Sequence, residues 1–369
     1  MKVLHVNTHM NIGGIGRYIL SLCNAMKKMG IDCSVASSGG NLEDELKENG
    51  IKHKYIGIKT KFEFGPKVFS AVSPLANIIM EEGVNLVHAH TRVSQVVSFL
   101  ASRKAEAHYV STCHGFFKPK LSRKLFDTWG ERVVAISEPV KAHLERDFGI
   151  NSERIGLIHN GVDMDKFSKN FSNDEISKLK RSITLKEGPV VGTIGRLSSV
   201  KGQKFLIEAM KNVISKNNLA QCLIIGEGPE EDELKKLAVD LGIENNVKFA
   251  GPIYKDANMY LACMDVFVLP SIKEGLGLAL LEAMAAARPC VASDIGGIRD
   301  IVKDRDNGML VPVADISAMA DSISKLLSDK AAAMRLGQNG REFVKENFSI
   351  TVMAEKMSRL YREVVSGKQ

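Results

Sequence analysis

Short runs of β-branched and aliphatic residues alternate along this chain with longer stretches in which apolar residues recur every three or four positions. The first pattern predicts buried strands and the second predicts amphipathic helices. In the first half, strands are expected at 2–8, 33–38, 53–58, 86–90, 108–113, 132–137 and 155–159. Helices are expected between most of them, among them 15–29, 67–82 and 138–147. A polar stretch, 163–188, interrupts the rhythm. It resumes at Pro189-Val190-Val191-Gly192-Thr193-Ile194, with further strands expected at 221–226, 246–250, 265–270, 289–293 and 308–312. Residues 330–366 carry helical periodicity only. Strands separated by helices build parallel, doubly wound sheets. The expected fold is therefore α/β, with two Rossmann-like domains facing across a cleft. They should occupy 1–165 and 166–345, with a last helix at 346–369 crossing back toward the first domain. In open sheets of this kind ligands sit beyond the carboxyl ends of the strands.

A length of 369 residues exceeds one ordinary core, and 44% hydrophobic with 25% charged residues excludes a disordered chain. No window is apolar enough to span a membrane, and Met1–Asn7 does not read as a signal peptide. The six cysteines are scattered without a C-x-x-C pair, so they read as buried thiols of a cytoplasmic protein. Charge is unevenly distributed. Residues 1–162 hold 21 basic and 15 acidic side chains, and 52–124 hold 12 against 4. That bias fits an anionic partner or a lysine-rich solvated surface.

Four places carry candidate chemistry. The first strand runs into Asn11-Ile12-Gly13-Gly14-Ile15-Gly16, where glycines let backbone approach a ligand and a helix N-terminus offers free N–H groups. A dinucleotide fingerprint is excluded: its third glycine is Ile19, and the second strand ends without an acid. The strand at 108–113 ends in Cys113-His114-Gly115, which leaves His114 at a strand's carboxyl end, as a sugar contact or as a structural histidine. Arg196 and Lys201, in Gly195-Arg196-Leu197-Ser198-Ser199-Val200-Lys201-Gly202, suit a diphosphate, one as a bidentate fork and one as a point charge. Finally, Glu274 precedes a helix starting near Gly277, and Glu282 lies within it among Leu and Ala. A carboxylate on so apolar a helix calls for a partner. Helix rise places the two acids on the order of 10 Å apart, with the Gly277 and Leu278 N–H groups between them.

The spacing Glu274-x7-Glu282, taken with Gly195-Arg196-Leu197, Lys201-Gly202, Gly226-Glu227-Gly228-Pro229 and Asn160-Gly161-Val162-Asp163, resembles the GT-B retaining glycosyltransferases of family 4 over essentially the whole chain. The resemblance implies that Arg196 and Lys201 bind the donor diphosphate and that Glu274 holds hydroxyls of the transferred sugar. It further implies that Glu282 holds the ribose, Gly13 and Gly14 close over the phosphates, and His114 contacts the sugar near the reacting carbon. The base is expected on backbone near 251–254, with UDP the common donor of such enzymes. Configuration would be retained, with the leaving phosphate taking the acceptor proton.

Two D-x-D patterns, Asp163-Met164-Asp165 and Asp304-Arg305-Asp306, lie in a linker and a turn, and Arg196 with Lys201 replaces a cation, so no metal or other cofactor is expected. The acceptor should be a glycan or a lipid-linked sugar of cell-envelope or lipopolysaccharide type. Segments 59–67 and 116–126 mix phenylalanines with cations and suit an anionic membrane surface, unless the rings are core and the cations merely solvated. No nucleic-acid motif accompanies the charge. A hydrolysing nucleotide-sugar epimerase and a non-catalytic nucleotide-sugar-binding partner are the competing classes.

Overall fold

The computed structural model describes residues 1–253 and 256–367, and Leu125 by its backbone alone. Tyr254, within the segment expected to read the base, and the last two residues of the expected 346–369 helix lie outside the described residues. The chain divides into two compact units: Met1–Gly161 together with the residues from Ile350 onward, and Val162–Ser349. These boundaries fall four residues from the expected 165/166 and 345/346. The reason is local. Val162 donates its N–H to Phe348 O at 2.8 Å and bridges Ser349, which ties both ends of the second unit together.

The first unit holds a seven-stranded sheet of β1 (Lys2–Val6), β2 (Asp32–Ser37), β3 (Lys52–Tyr55), β4 (Leu86–Ala89), β5 (His108–Cys113), β6 (Arg132–Ala135) and β7 (Ile155–Leu157). The second holds a six-stranded sheet of β8 (Val190–Ile194), β9 (Gln221–Ile225), β10 (Val247–Gly251), β11 (Val266–Leu269), β12 (Cys290–Ser293) and β13 (Met309–Val311). All pairings are parallel, in the orders β3-β2-β1-β4-β5-β6-β7 and β10-β9-β8-β11-β12-β13. Each sheet therefore changes winding direction once, between β1 and β4 and between β8 and β11. The polar stretch at 163–188 forms the short helices Met164–Phe167 and Asn173–Ser182, the second started by a Ser172–Glu175 capping box.

Both faces of the first sheet are covered, so its strands read as near-continuous apolar runs. Successive residues still point to opposite faces. Leu4, Val6, Val87 and Ala89 meet Leu75, Ala76, Val93 and Val97 on one side. Val3, Leu86 and Val110 meet the Gly14–Lys28 helix and the Ile350–Ser366 helix on the other, where Met353, Met357, Leu360 and Tyr361 are buried. The last helix is thus an integral wall of the first unit's core.

That placement sets an expectation. Met357→Ala, at a fully buried site, should cost about 2–5 kcal/mol, whereas Met334→Ala, 70% exposed, should stay within about 0.5 kcal/mol. Urea unfolding of the two variants checks this; equal effects would contradict the seating of the last helix.

Candidate active site

In the second unit the loops that leave β8 and β11 lie side by side at the switch point of the sheet. The backbone N–H groups of Ile272 and Lys273 donate to Val200 O at 2.9 and 3.4 Å. Gly202 sits at φ +66°, and a Cβ there would fall 2.1 Å from Pro270 O, so only glycine lets the two loops touch. Their contact brings Lys201 Nζ to 2.5 Å from Glu274 Oε2, with Ser271 Oγ donating to the same oxygen at 3.3 Å. The pair is shielded but not sealed, with side-chain exposures of 28% and 14%.

The loop after β9 supports this arrangement from the other flank. Gly195 N–H donates to Ile225 O and Leu197 N–H to Glu227 O, both at 2.9 Å. Gly226 adopts φ +139°, and a Cβ on it would lie 1.9 Å from Gly195 O. The Gly226–Pro229 and Gly195–Leu197 motifs are therefore one packed piece. Gln203 Nε2 donates to Arg196 O at 3.0 Å and fixes that backbone. The Arg196 side chain is exposed, without a protein partner among the described residues.

Gly277 caps the Leu278–Ala285 helix in a left-handed conformation. Leu280 and Leu281 already donate to Gly277 O, while the N–H groups of Gly277, Leu278 and Ala279 have no hydrogen-bond partner among the described residues. Glu282 sits half-buried on the same helix, less enclosed than the apolar sequence around it implied. Buried neighbours Leu280, Leu281 and Ala283 anchor the helix that carries Glu282 and begins three residues after Glu274 at Gly277.

In the first unit, Gly13 and Gly14 are exposed at the start of the Gly14–Lys28 helix, and Gly13 O accepts from Arg17 N at 3.0 Å. His114 follows β5 and His90 follows β4, beside the switch point. His114 Nε2 lies 3.1 Å from His90 Nδ1, and Tyr18 meets the His114 ring edge-on at 4.7 Å. His114 is half-buried, and the packing around it pulls its pKa down to about 3. Cys113 points to the opposite side. Burial pushes its thiol up to about 12 while it donates to Gly115 O at 3.1 Å, which rules it out as a nucleophile at neutral pH.

The D-x-D carboxylates have structural work. Asp163 caps Lys166 N at 3.2 Å, and Asp304 accepts from Leu310 N at 2.9 Å. Segments 59–67 and 116–126 come together: Glu63 pairs with Arg123, and with Arg92 at 3.3 Å, while the tilted rings of Phe64 and Phe126 meet with centroids 5.4 Å apart. A cavity of about 810 Å³ lies there, lined by Thr60, Phe62, Lys67, Lys120 and Ser122 among others. Phe62, Leu121 and Phe126 are exposed, whereas Phe117 packs on Trp129.

His90 and Ser271 were not singled out by sequence reasoning. For His90 a signal existed. Val87-His88-Ala89-His90 places two imidazoles on one face of a buried strand, which is costly unless they are hydrogen-bonded. Ser271 left no trace, because its contact depends on how one loop turns.

Two parallel α/β units, each with polar groups gathered at its switch point, define the GT-B class of sugar-nucleotide enzymes. Comparison with known proteins carries the assignment further. Residues 12–166 match the family described as Glycosyltransferase Family 4, and residues 175–343 match Glycosyl transferases group 1. The chain is a glycosyltransferase belonging to the group 1, family 4 glycosyltransferases. An Escherichia coli UDP-Gal:alpha-D-GlcNAc-diphosphoundecaprenol alpha-1,3-galactosyltransferase is 26% identical, over 100% of this chain and 98% of its own. A Mycobacterium leprae phosphatidyl-myo-inositol mannosyltransferase is 29% identical over 96% and 94%. The crystal structure of Anabaena HepE with UDP and glucose superposes with a TM-score of 0.86 at 23% identity, covering 98% of this chain and 99% of that one.

The Lys201–Glu274 contact has a measurable strength. A double-mutant cycle with Lys201→Met and Glu274→Gln should give a coupling of about 0.5–1 kcal/mol in unfolding free energy, as for a partly shielded pair. A coupling of zero would mean that the two side chains do not hold each other.

Proposed function

We propose that this chain is a retaining, metal-independent glycosyltransferase that moves a hexose from a UDP-sugar to a hydroxyl of a lipid-linked or glycan acceptor in cell-envelope synthesis. The observation that carries it is the Lys201–Glu274 pair at the second unit's switch point, followed in the chain by the helix start and Glu282. In chain order Lys201, Glu274, the free N–H groups of the helix start and Glu282 succeed one another as cation, carboxylate, dipole and carboxylate. A nucleoside diphosphate sugar presents the complementary order of hydroxyls, diphosphate and ribose.

In this scheme Arg196 and Lys201 neutralise the diphosphate, and the Gly277 and Leu278 N–H groups bind it at the helix start. Glu274 holds sugar hydroxyls and, through Lys201, keeps that cation in place. Glu282 holds the ribose. Gly13 and Gly14 close on the phosphates, and His114 meets the sugar. The bond from the anomeric carbon to phosphate breaks toward an oxocarbenium-like state as positive charge stabilises the departing oxygen. The acceptor oxygen then bonds to the same face, and its proton passes to the leaving phosphate. Two fixed cations meet the charge that a divalent metal would otherwise meet. Support for UDP comes from the named donor of the Escherichia coli relative and the UDP of the HepE complex. Support for a lipid-linked acceptor comes from the names of the Escherichia coli and Mycobacterium leprae relatives.

Among the described residues no helix is long and apolar enough to cross a membrane. Access to a lipid-linked acceptor would run through the surface of segments 59–67 and 116–126, held at the cytoplasmic face of an anionic bilayer by Lys61, Lys67, Lys118, Lys120 and Lys124 beside the exposed Phe62, Leu121 and Phe126.

Thermal unfolding against a panel of nucleoside diphosphates tests the donor site. UDP at 100 times its dissociation constant should stabilise the protein by about 2.7 kcal/mol. The effect should persist in EDTA and vanish in Glu282→Ala; a shift that needs a divalent metal would overturn the proposal. Separately, the protein should sediment with vesicles containing anionic lipid and not with neutral ones. Phe62→Ser combined with Leu121→Ser should reduce that binding several-fold, and unchanged binding would remove these segments from the membrane contact.

A further inference from the structure

The segment that follows β5 is tethered near its root by a buried histidine for which the donor chemistry has no use. His143 lies in the Glu138–Phe148 helix, which Ser137 caps by accepting from Val140 N–H at 3.4 Å. The ring is buried. Its Nε2 lies 3.0 Å from the backbone nitrogen of Phe117, and its Nδ1 meets a carboxylate oxygen of Asp147, one helical turn on. The Phe116 and Phe148 rings meet it edge-on, with centroids 5.4 and 5.2 Å away.

These contacts allow one arrangement of protons. A backbone N–H can only donate, so His143 Nε2 is bare. The single proton of the neutral ring then stands on Nδ1 and is donated to Asp147, four residues along the same helix face. The imidazole thus grips its own helix with one nitrogen and the following loop with the other. A second proton has only Nε2 to go to, where it would confront the Phe117 N–H. Protonation of His143 and the bond to Phe117 therefore exclude each other. Asp147, from its own helix, is the titratable group that touches the ring. Phe116, Phe117 and Phe148 present phenyl rings and an N–H, none of which titrates.

The tether reaches further than one bond. Phe117 packs on Trp129 with ring centroids 6.0 Å apart, and the Arg123 guanidinium sits 5.6 Å from the Phe117 ring centre. Arg123 donates to Lys118 O at 2.7 Å and pairs with Glu63, which also pairs with Arg92. A continuous series of contacts so runs from His143 through Phe117 and Arg123 to Glu63, and links segment 116–126 to segment 59–67. The backbone N–H groups of Lys120, Arg123, Lys124 and Phe126 all bond within their own segment. Phe117 supplies the backbone bond that seats this segment on a helix.

We propose that His143 is a positioning residue for the acceptor-side surface: its bare Nε2 holds Phe117 N–H and so fixes segment 116–126 with Leu121, Phe126 and their neighbouring lysines turned outward. The inference rests on the membrane-facing reading of that surface given above. His143 makes and breaks no bond of the reaction. Loss of the tether costs the surface its alignment and leaves the donor groups of the second unit in place.

The first test needs no variant. In a long-range ¹H–¹⁵N spectrum recorded at mildly alkaline pH, His143 should show protonated Nδ1 and bare Nε2; protonated Nε2 would overturn the proposal. On acidification, hydrogen-exchange protection of the Phe117 amide should fall together with the His143 titration, and protection that ignores this titration would also overturn it. Two variants then separate the ring's two bonds. His143→Gln keeps an acceptor near the place of Nε2, whereas His143→Asn keeps only a group near Nδ1. Affinity for vesicles of equal parts phosphatidylglycerol and phosphatidylcholine should stay within about 2-fold in His143→Gln and fall about 5- to 10-fold in His143→Asn, as for one lost hydrogen bond. Stabilisation by UDP should be the same in both, which shows that both fold. Equal vesicle affinity in the two variants would refute the positioning role. Wild-type protein that ignores these vesicles would remove the membrane reading of the surface, and the tautomer and exchange results would still decide the tether.

Discussion

The ion pair between Lys201 and Glu274 holds the second unit's chemistry in place. It joins loops that leave neighbouring strands on opposite sides of the winding reversal, alongside the backbone bonds from Ile272 and Lys273 to Val200 O. Lys201 ends a single 3₁₀ turn, Ser199–Lys201, and Glu274 lies in a loop, so their geometry depends on the contact itself and on the glycine that permits it. A Cβ at Gly202 would separate the loops at Pro270, and the charges would part with them. Lys201 also remains able to serve a ligand, since an ammonium has three donors and Glu274 uses one.

The first unit solves a different problem with different means. His114 adjoins a buried set of imidazoles kept neutral by desolvation, His88 and His90 well below their usual range. Strands β1, β4 and β5 set the distances at which His5 Nδ1, both nitrogens of His88 and both nitrogens of His90 are paired, while His5 Nε2 is buried without a hydrogen-bond partner among the described residues. Tyr361 closes the set from the last helix, so a residue near the end of the chain completes a network begun by His5. The core-forming role of the Ile350–Ser366 helix and the ordering of the histidines are thus one structural fact.

The surface at segments 59–67 and 116–126 departs from both patterns. Glu63, clamped by Arg92 and Arg123, has its carboxyl held below the usual range by those guanidinium groups despite its burial. That clamp lets two loops with exposed aromatic residues and lysines lie together at low internal cost. The alternative of core phenylalanines and solvated cations applies to only part of this surface, since Phe117 is packed on Trp129 while Phe62 and Phe126 are not buried.

The sequence alone determined the α/β class, all thirteen strands and the motif positions, because a strand buried on both faces must be apolar and a helix must repeat every 3.6 residues. These are local constraints, and each is written in the residues that obey it. It did not determine which polar groups meet. The Lys201–Glu274 pair spans 73 positions, the His88–Tyr361 bond spans 273, and Cys23 and Cys33 meet His5 without any spacing motif. The domain boundaries moved for the same reason, through one backbone bond between Val162 and Phe348. Hydrogen bonds and ion pairs act over about 3 Å, and only the tertiary fold decides which distant residues come that close.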